Sequence, residues 1–461
     1  MTEPQTCDTL VYNGVLVTMD GSDRVLHRGA VAVRGCRIVA VGEERAILGG
    51  FRSQTKIDAG GGLIHPGFID AHCHVNVQTS RGVVTDRPHG GGASFDDWYL
   101  AVRDEDEIAS TRQIGLELLR NGYTCFAEPG SAFSPDTVAA AAESIGVRVV
   151  LADLLLWDLL PAGEKPVGRM QRAPVDHKRC MDMLGTELKR NRVPDAMSHG
   201  YVALNNIGNA SDELLRAALD TARAAGSVLE LHHNRTLELV ARDDKRFGTP
   251  NLRHLYDRGF LDACCSFMHM NVIRDEEIEP IVRSGMSILW CPANSMYYGV
   301  SSKAPCRIPE LLSRGVTVAT GVDFAKAWTF SDMELIGYLL ARAQGDFVSP
   351  VQLIEMRTRS AAKALGLSKE IGSLEPGKRA DIVVRSFEVP EAMPGTNLAQ
   401  DMVLSARSKN VDTVLVNGRI VYRGGQPTQV EAAKVFADVR ASVAGLLERS
   451  GFSPDRYWEE A

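Results

Sequence analysis

The chain has 461 residues, of which 44% are hydrophobic and 24% charged, and 51 basic against 58 acidic side chains give a formal net charge of −7. These values are typical of a folded globular protein and exclude a disordered or fibrous chain. The acidic balance and the lack of a long uncharged apolar run argue against nucleic-acid and membrane partners. Nine cysteines without framework spacing indicate reduced thiols, so we expect a cytoplasmic protein.

Both ends of the chain have the pattern of short β-strands. Apolar and polar residues alternate between glycine turns in TLVYNGVLVTM and GAVAVRGCRIVAVG near the start, and in VDTVLVNGRIVYRGG near the end. We expect residues 1–64 and 366–430 to pair into one small β-sandwich. The last segment, 431–461, is predicted to form a terminal helix.

Between these ends, residues 65–365 alternate amphipathic helical stretches with short apolar runs. EIASTRQIGLELLRNG followed by YTCFAEPG is one such unit, and about eight occur in succession. This pattern favours parallel strands with helical crossovers, closed as a (β/α)8 TIM barrel of the α/β class. The alternative, an open doubly wound sheet, would want a glycine fingerprint after the first strand, and GFIDAHCHVN is not one.

Four histidines and one aspartate fall at predicted strand ends. His72 and His74 end the first strand two residues apart, so both side chains lie on one face. His232, His269 and Asp323 end later strands at the same depth. Neutral imidazoles with a carboxylate suit a borderline divalent cation such as zinc, cobalt, manganese or iron(II).

Several motifs resemble the amidohydrolase superfamily, in the branch that contains cytosine deaminase and atrazine chlorohydrolase. They are PGFIDAHCH, the fifth-strand histidine, HMNVIRDEEI, GVDFAKAWTFSDM and IGSLEPGKRADIVV, and together the resemblance covers nearly the whole chain. It implies one divalent metal ion, either zinc, cobalt or manganese, bound by His72, His74, His232 and Asp323. His269 would be a ligand or a partner of the metal-bound water, and Asp323 would pass the proton of that water to the leaving group. Such proteins commonly form homo-oligomers.

The departures from this pattern narrow the expected chemistry. Relatives that deaminate heterocycles carry a glutamate where this chain has Arg235, and an arginine cannot act as a general acid or base. Trp290 and Asn205 stand in place of histidines on the seventh and fourth strands. The predicted fourth strand has no lysine to bridge two ions, which favours a single metal.

These departures, with aromatic residues on the loops, predict a pocket for a small, neutral, apolar substrate. We assign its walls to a set of residues near the expected barrel mouth, namely Trp290, Asn205, Arg235, Phe324 and Trp328. The expected reaction is attack of metal-bound hydroxide on a thiocarbamate, carbamate or urea carbonyl, as in the group of molinate-type thiocarbamate hydrolases and phenylurea hydrolases.

Two other functions compete with this one. The first is an aminohydrolase or dehalogenase of a nitrogen heterocycle. The second is a barrel without catalysis that serves as a subunit of an assembly, and the five intact candidate ligands weigh against it. The sequence leaves the roles of four polar residues open: Glu230, His233, Glu128 and His89.

Overall fold

The computed structural model of the chain describes residues 3–83, 95–161, 163–324 and 326–453. His89, on the predicted loop after the first barrel strand, lies outside the described residues. The predicted terminal helix is present as Ala432–Ser450, and residues 454–461 are also outside the described part. Within that part, no helix combines the length and apolar character needed to cross a membrane.

The described strands fall into a terminal group and a central group. In chain order they are β1 Gln5–Thr6, β2 Thr9–Val17, β3 Val25–Arg34, β4 Arg37–Glu43, β5 Phe51–Arg52, β6 Thr55–Asp58, β7 Leu63–Pro66, β8 Phe68–Asp70, β9 Tyr123–Glu128, β10 Arg148–Leu151, β11 Ser198–Gly200, β12 Val202–Asn206, β13 Leu229–His233, β14 Cys265–His269, β15 Ser287–Trp290, β16 Thr317–Thr320, β17 Ile382–Arg385, β18 Val411–Val416, β19 Arg419–Arg423 and β20 Gln426–Pro427.

The described α-helices mostly separate the central strands. They are α1 Glu44–Gly50, α2 Phe95–Ala101, α3 Asp104–Arg120, α4 Pro135–Ile145, α5 His177–Met183, α6 Asp212–Ala224, α7 Leu237–Phe247, α8 Asn251–Asp257, α9 Asp275–Ser284, α10 Pro292–Tyr297, α11 Ile308–Ser313, α12 Met333–Ala343, α13 Pro350–Arg357, α14 Arg359–Ala364, α15 Leu398–Gln400 and α16 Ala432–Ser450. Short 3-10 turns occur at Val75–Ser80, Gly168–Gln171, Thr186–Arg192, Ile207–Asn209, Phe330–Asp332 and Pro390–Ala392, and a π-turn at Asp401–Ser405.

Both ends of the chain contribute to one nine-stranded sheet, ordered β20-β19-β18-β17-β7-β2-β3-β4 with β6 paired to β2. The two contributions meet where β7 and β17 pair antiparallel, with His65 opposite Val383. The predicted joining of residues from both termini is therefore present. Its hydrogen-bonded ladders form a single sheet, and a two-layer sandwich stays a prediction.

The central strands form two parallel sheets, β8 to β11 and β12 to β16. Only Tyr201 separates β11 from β12, and its N–H donates to the carbonyl of Leu151 at 3.1 Å. The next N–H, of Val202, donates to the carbonyl of Val228 at 3.1 Å, so one extended segment passes from the first sheet to the second. The result is a TIM-barrel-like α/β body.

The first and last parallel strands lie beside each other. The N–H of Ala71 donates to the carbonyl of Thr320 at 3.1 Å, and the N–H of Asp323 donates to that of His72 at 2.8 Å. The described ladders still register as two sheets, so a single closed (β/α)8 ring stays a prediction. This proximity matters for function, because it places the ends of β8 and β16 at one rim.

Local sequence explains the regular alternation of helix and strand. Helix α4 begins with Pro135, whose fixed φ suits the first turn, and ends before Gly146, which adopts φ 84°. Helix α6 is capped by the Ser211 hydroxyl, which accepts the N–H of Leu214 at 3.1 Å. Each helix thus starts and stops close to a strand, which keeps the polar loops at the rims.

The two faces of the central strands are buried differently. Leu229 and Leu231 of β13 belong to the large core between strands and helices, whereas Glu230 between them is fully buried and faces away from that core. Cys73, with the opposite parity to His72, also belongs to the helix-facing core. The period-two argument from the sequence is confirmed at these positions.

Candidate metal centre

Five side chains meet at the carboxyl-terminal rim of the parallel strands, and we call them the histidine cluster: His72, His74, His232, His269 and Asp323. The first two follow β8, the third lies in β13, the fourth ends β14 and the fifth follows β16. Asp323 is 2% exposed, and the histidines are buried apart from His232, which is half-buried. The predicted convergence of these strand ends is therefore present.

The backbone turns sharply where two members of the cluster leave their strands. His269 has φ 69° and Asp323 has φ 62°. This left-handed conformation is unfavourable for residues with a Cβ and is common at functional sites. Cross-strand hydrogen bonds hold both turns: the N–H of Met270 donates to the carbonyl of His233 at 3.1 Å, and the N–H of His74 to that of Asp323 at 2.9 Å.

The donor atoms of the cluster converge on a small volume. Nε2 of His74 lies 3.2 Å from Nε2 of His232 and 3.3 Å from Oδ1 of Asp323. Oδ1 of Asp323 is also 3.5 Å from Nε2 of His72. Ligand atoms of His72, His232 and His269, and those of His72, His74 and Asp323, each lie within 4.8 Å of one another.

Burial leaves some of these donors without partners. Both ring nitrogens of His269 are buried and have no hydrogen-bond partner among the described residues. Such groups are costly unless a ligand satisfies them. Imidazole nitrogens and one carboxylate, converging and unsatisfied, fit a divalent metal ion.

The charge state of the cluster is uneven. Burial lowers the pKa of His74, His232 and His269 well below the usual value, and the positive charge of neighbouring groups lowers it further. Burial also disfavours the charged form of His72, but the carboxylates of Asp323 and Glu230 outweigh it and raise its pKa to about 9. Three imidazoles are thus neutral at neutral pH, and a metal ion must displace the proton of His72.

Hydrogen bonds from the far ring nitrogens orient two of the histidines. Nδ1 of His232 donates to the backbone carbonyl of Asn205 at 2.8 Å. Nδ1 of His74 lies 2.8 Å from the Ser131 hydroxyl, which itself donates to the carboxylate of Glu128. These contacts leave Nε2 of both rings as the free acceptor, which is the tautomer that binds a metal.

Glu128 is held rigidly below the cluster, which answers its open role. Its oxygens accept the N–H groups of Gly130, Ser131 and Ala132 at 2.9–3.1 Å. Burial nevertheless raises the pKa of Glu128 to about 7. Glu128 therefore anchors the loop that carries Ser131 and, through that hydroxyl, the ring of His74.

Two more polar residues act on the cluster from behind. Oε1 of the fully buried Glu230 lies 3.3 Å from Nδ1 of His72. The amide nitrogen of Asn294 donates to Oδ2 of Asp323 and leaves Oδ1 directed at the imidazoles. Of the two roles left open for Glu230, orienting His72 is the one its contacts support.

The predicted pocket residues separate into two sets. Phe324 lies with its ring 6.1 Å from that of His74, and the indole N–H of Trp328 donates to the carbonyl of Val322 at 3.2 Å, just before Asp323. Asn205 reaches the cluster through its carbonyl. Trp290 is different: it lies in the helix-facing core beside Gly337 and is not brought to the cluster.

Arg235 and His233 complete the account of the predicted residues. Arg235 is half-buried, and its charge contributes to the lowered pKa of His232 and His269. His233 is buried against Phe267, with ring centroids 5.3 Å apart, and burial lowers its pKa to about 3. His233 is thus a neutral core residue outside the histidine cluster.

The sequence analysis missed Ser131 and Asn294. Both lie in loops just after parallel strands, in AEPGSA and WCPANS, and that position was the available signal. A serine or an asparagine in a loop is too common to stand out. Only the distances to His74 and Asp323 mark them.

Comparison with known proteins agrees with the fold and the site. The sequence pattern of the amidohydrolase family matches residues 63–421. A 5-methylthioadenosine/S-adenosylhomocysteine deaminase from Pelotomaculum thermopropionicum is 28% identical over 448 residues, which cover 95% of this chain and 99% of the relative. A protein of the same name from Moorella thermoacetica is 29% identical over 444 residues, 93% of this chain and 97% of the relative.

Two solved structures share the fold. An adenosine deaminase from Xanthomonas campestris with bound zinc superposes with a TM-score of 0.82 at 21% identity, covering 97% of this chain and all of that one. Atrazine chlorohydrolase from Arthrobacter aurescens, complexed with zinc, gives a TM-score of 0.80 at 21% identity, with 94% and 100% covered. At this identity the likeness concerns the fold.

Proposed function

We propose, on the premise that this chain belongs to the amidohydrolase family, that it hydrolytically removes a substituent, foremost an amino group, from a carbon atom of a nitrogen heterocycle. The chain is an enzyme of the hydrolase class. The observation that carries the proposal is the convergence of four imidazoles and one carboxylate within a few ångströms at the strand ends. We assign one divalent ion to His72, His74, His232 and Asp323, with His269 as a further ligand or as a partner of the attacking water.

A divalent ion bound there lowers the pKa of a water molecule and polarises the carbon that this water attacks. The chain supplies the proton transfer. Asp323 is the proton acceptor, because its Oδ1 faces the cluster while Asn294 holds Oδ2. In this reaction a C–N bond is exchanged for a C–O bond, and the proton taken by Asp323 leaves with the amine.

The relatives support this reaction over carbonyl hydrolysis. Full-length relatives carry the name 5-methylthioadenosine/S-adenosylhomocysteine deaminase, and both substrates are adenine derivatives with an exocyclic amine. We therefore place heterocycle deamination, which the sequence analysis kept second, ahead of the thiocarbamate and phenylurea hydrolysis that it placed first.

Carbonyl hydrolysis remains the second candidate, on one observation. Arg235 occupies the rim three residues after His232, and a guanidinium cannot protonate a ring nitrogen and then recover the proton at neutral pH. If the protein deaminates, Asp323 must serve both the water and the ring. A thiocarbamate or urea would need only one proton acceptor.

A substrate panel with metal-loaded protein separates the two candidates. The panel contains adenosine, 5′-methylthioadenosine, S-adenosylhomocysteine, a chlorotriazine, an N,N-dialkyl thiocarbamate and a phenylurea. We expect ammonia release from at least one adenine compound, abolished by a chelator and restored by zinc, cobalt or manganese.

The matched control for this panel uses one chemical change at two places. Asp323→Asn should abolish turnover, whereas Asp346→Asn, at an exposed position, should leave it unchanged. Turnover of the thiocarbamate or the phenylurea alone would establish the second candidate. Turnover of nothing in the panel, with metal bound, would contradict both.

A further inference from the structure

One charged residue at the rim is not explained by the metal centre. Arg235 follows β13 and is half-buried, yet no carboxylate oxygen lies within 4.0 Å of its guanidinium in the part of the chain that the structure describes. Nearby arginines differ: Arg242 pairs with Glu164 at 2.8 Å, and Arg169 pairs with Asp96 at 3.1 Å. A partly buried charge without a counter-charge is unfavourable unless a ligand supplies one.

The position of Arg235 makes this cost greater. Its charge acts on His232 and His269, two members of the histidine cluster, and lowers the pKa of each. A divalent ion in that cluster would add further positive charge close to the same guanidinium. The loaded site therefore has an excess of positive charge on the side of Arg235.

A second cation lies on the same rim. The ring of Tyr298 has the guanidinium carbon of Arg235 at 5.9 Å and Nζ of Lys326 at 4.2 Å. Lys326 also donates to the Tyr298 hydroxyl and lies 4.1 Å from the ring of Tyr297. Tyr298 thus stands between two positive groups that border the cluster.

We infer that the substrate carries a carboxylate, which the fork of Arg235 binds beside the metal centre while Lys326 adds to the attractive field. This inference rests on the proposed function, since it takes the rim as the substrate pocket. A planar guanidinium matches a carboxylate with two parallel hydrogen bonds, and one negative charge balances one positive charge. A neutral apolar substrate, as the sequence analysis expected, would leave Arg235 uncompensated.

Binding of a matched pair of small ligands tests the inference without turnover. Nicotinate and nicotinamide share one ring and differ by a carboxylate against a carboxamide. With metal-loaded protein in a calorimeter, we expect nicotinate to bind about tenfold more tightly than nicotinamide. Arg235→Gln should bring the ratio close to one, and Arg235→Lys should restore part of it, because the charge returns without the fork.

The control is Arg169→Gln, which removes a charge that also acts on His74 and His232 but already has Asp96 as a partner. This variant should keep the preference for nicotinate. The inference is overturned by equal affinities in the natural protein, by a ratio that Arg235→Gln leaves intact, as when the carboxylate binds the metal alone, or by no binding of nicotinate.

The outcome is also separable from that of the substrate panel. Heterocycle turnover without an Arg235-dependent preference overturns this inference alone. A preference without heterocycle turnover leaves it standing and contradicts the proposed function.

Discussion

Two buried charge clusters meet at the end of β8 and differ in how their polar groups are satisfied. Asp70 belongs to what we call the Arg357 cluster, which comprises Asp70, Glu334 and Arg357, whereas His72, two residues later, belongs to the histidine cluster. Arg357 donates to Asp70 at 2.9 Å, to Glu334, and to the carbonyl of Thr320 at 3.0 Å. The histidine cluster instead contains ring nitrogens with no partner in the described part of the chain.

The difference distinguishes a structural cluster from a functional one. In the Arg357 cluster, burial disfavours the guanidinium, but Glu334, Tyr123 and Asp70 raise its pKa above the usual value, so the charge is retained. Every strong donor there ends on a protein acceptor. In the histidine cluster, the donors converge on one another, which is favourable only when a cation lies between them. Burial alone does not separate the two, since both are buried.

The largest expected effect comes from His269→Asn. This change removes a candidate ligand but places asparagine, which tolerates the left-handed conformation, at φ 69°. We expect catalytic efficiency to fall about 10³-fold, together with lower metal affinity. The metal-free variant should be as stable as the natural metal-free protein in urea. A marked loss of that stability would contradict the comparison, because it would give His269 a structural role.

The opposite result is expected for Arg357→Leu. Removing the guanidinium leaves Asp70 and Glu334 buried without a counter-charge, which costs about 3–5 kcal/mol. The urea midpoint of the metal-free protein should fall sharply, and adding Asp70→Asn and Glu334→Gln should restore part of it. Arg359→Leu is the control: its 32% exposed side chain pairs with Asp23, so its loss should cost less than about 1 kcal/mol. Equal effects of both changes would refute the assignment.

The smallest expected effect sharpens the comparison with a buried carboxylate that has hydrogen bonds but no counter-charge. Glu107 accepts the N–H groups of Phe133 at 2.7 Å and Ser134 at 2.9 Å, yet burial raises its pKa to about 7. Because this is above the ordinary value of 4.5, the folded protein holds a proton between pH 4.5 and 7 that the unfolded chain has released. The contribution of Glu107 to stability is therefore present at low pH and is lost as the pH rises through this window.

Glu107→Gln should remove that dependence. Relative to the variant, the natural protein should lose up to about 1.4 kcal/mol of unfolding free energy per pH unit across the window, measured by urea denaturation at several pH values. Glu105→Gln, on the same helix with a 67% exposed side chain, is the control and should leave the pH profile unchanged. Parallel profiles for all three proteins would show that Glu107 is ionised throughout.

Much of the site could be predicted because strand alternation is a local property. The two-residue spacing of His72 and His74 predicted one face, and β13 carries Leu231 to the core and His232 to the rim as expected. Trp290 shows where such reasoning fails. Its place after an apolar run suggested a pocket wall, but its parity in β15 turns it to the helices, where it packs beside Gly337.

The sequence alone determined which side chains reach the rim, because alternation and strand length act within a few residues. The tertiary structure decided what each of them touches: the Ser131 hydroxyl on His74, the Asn294 amide on Asp323 and the open guanidinium of Arg235. These contacts join loops that lie far apart along the chain, and no local pattern encodes the distances between them. Burial, which sets the charge of each imidazole, likewise arises only when the strands and helices pack together.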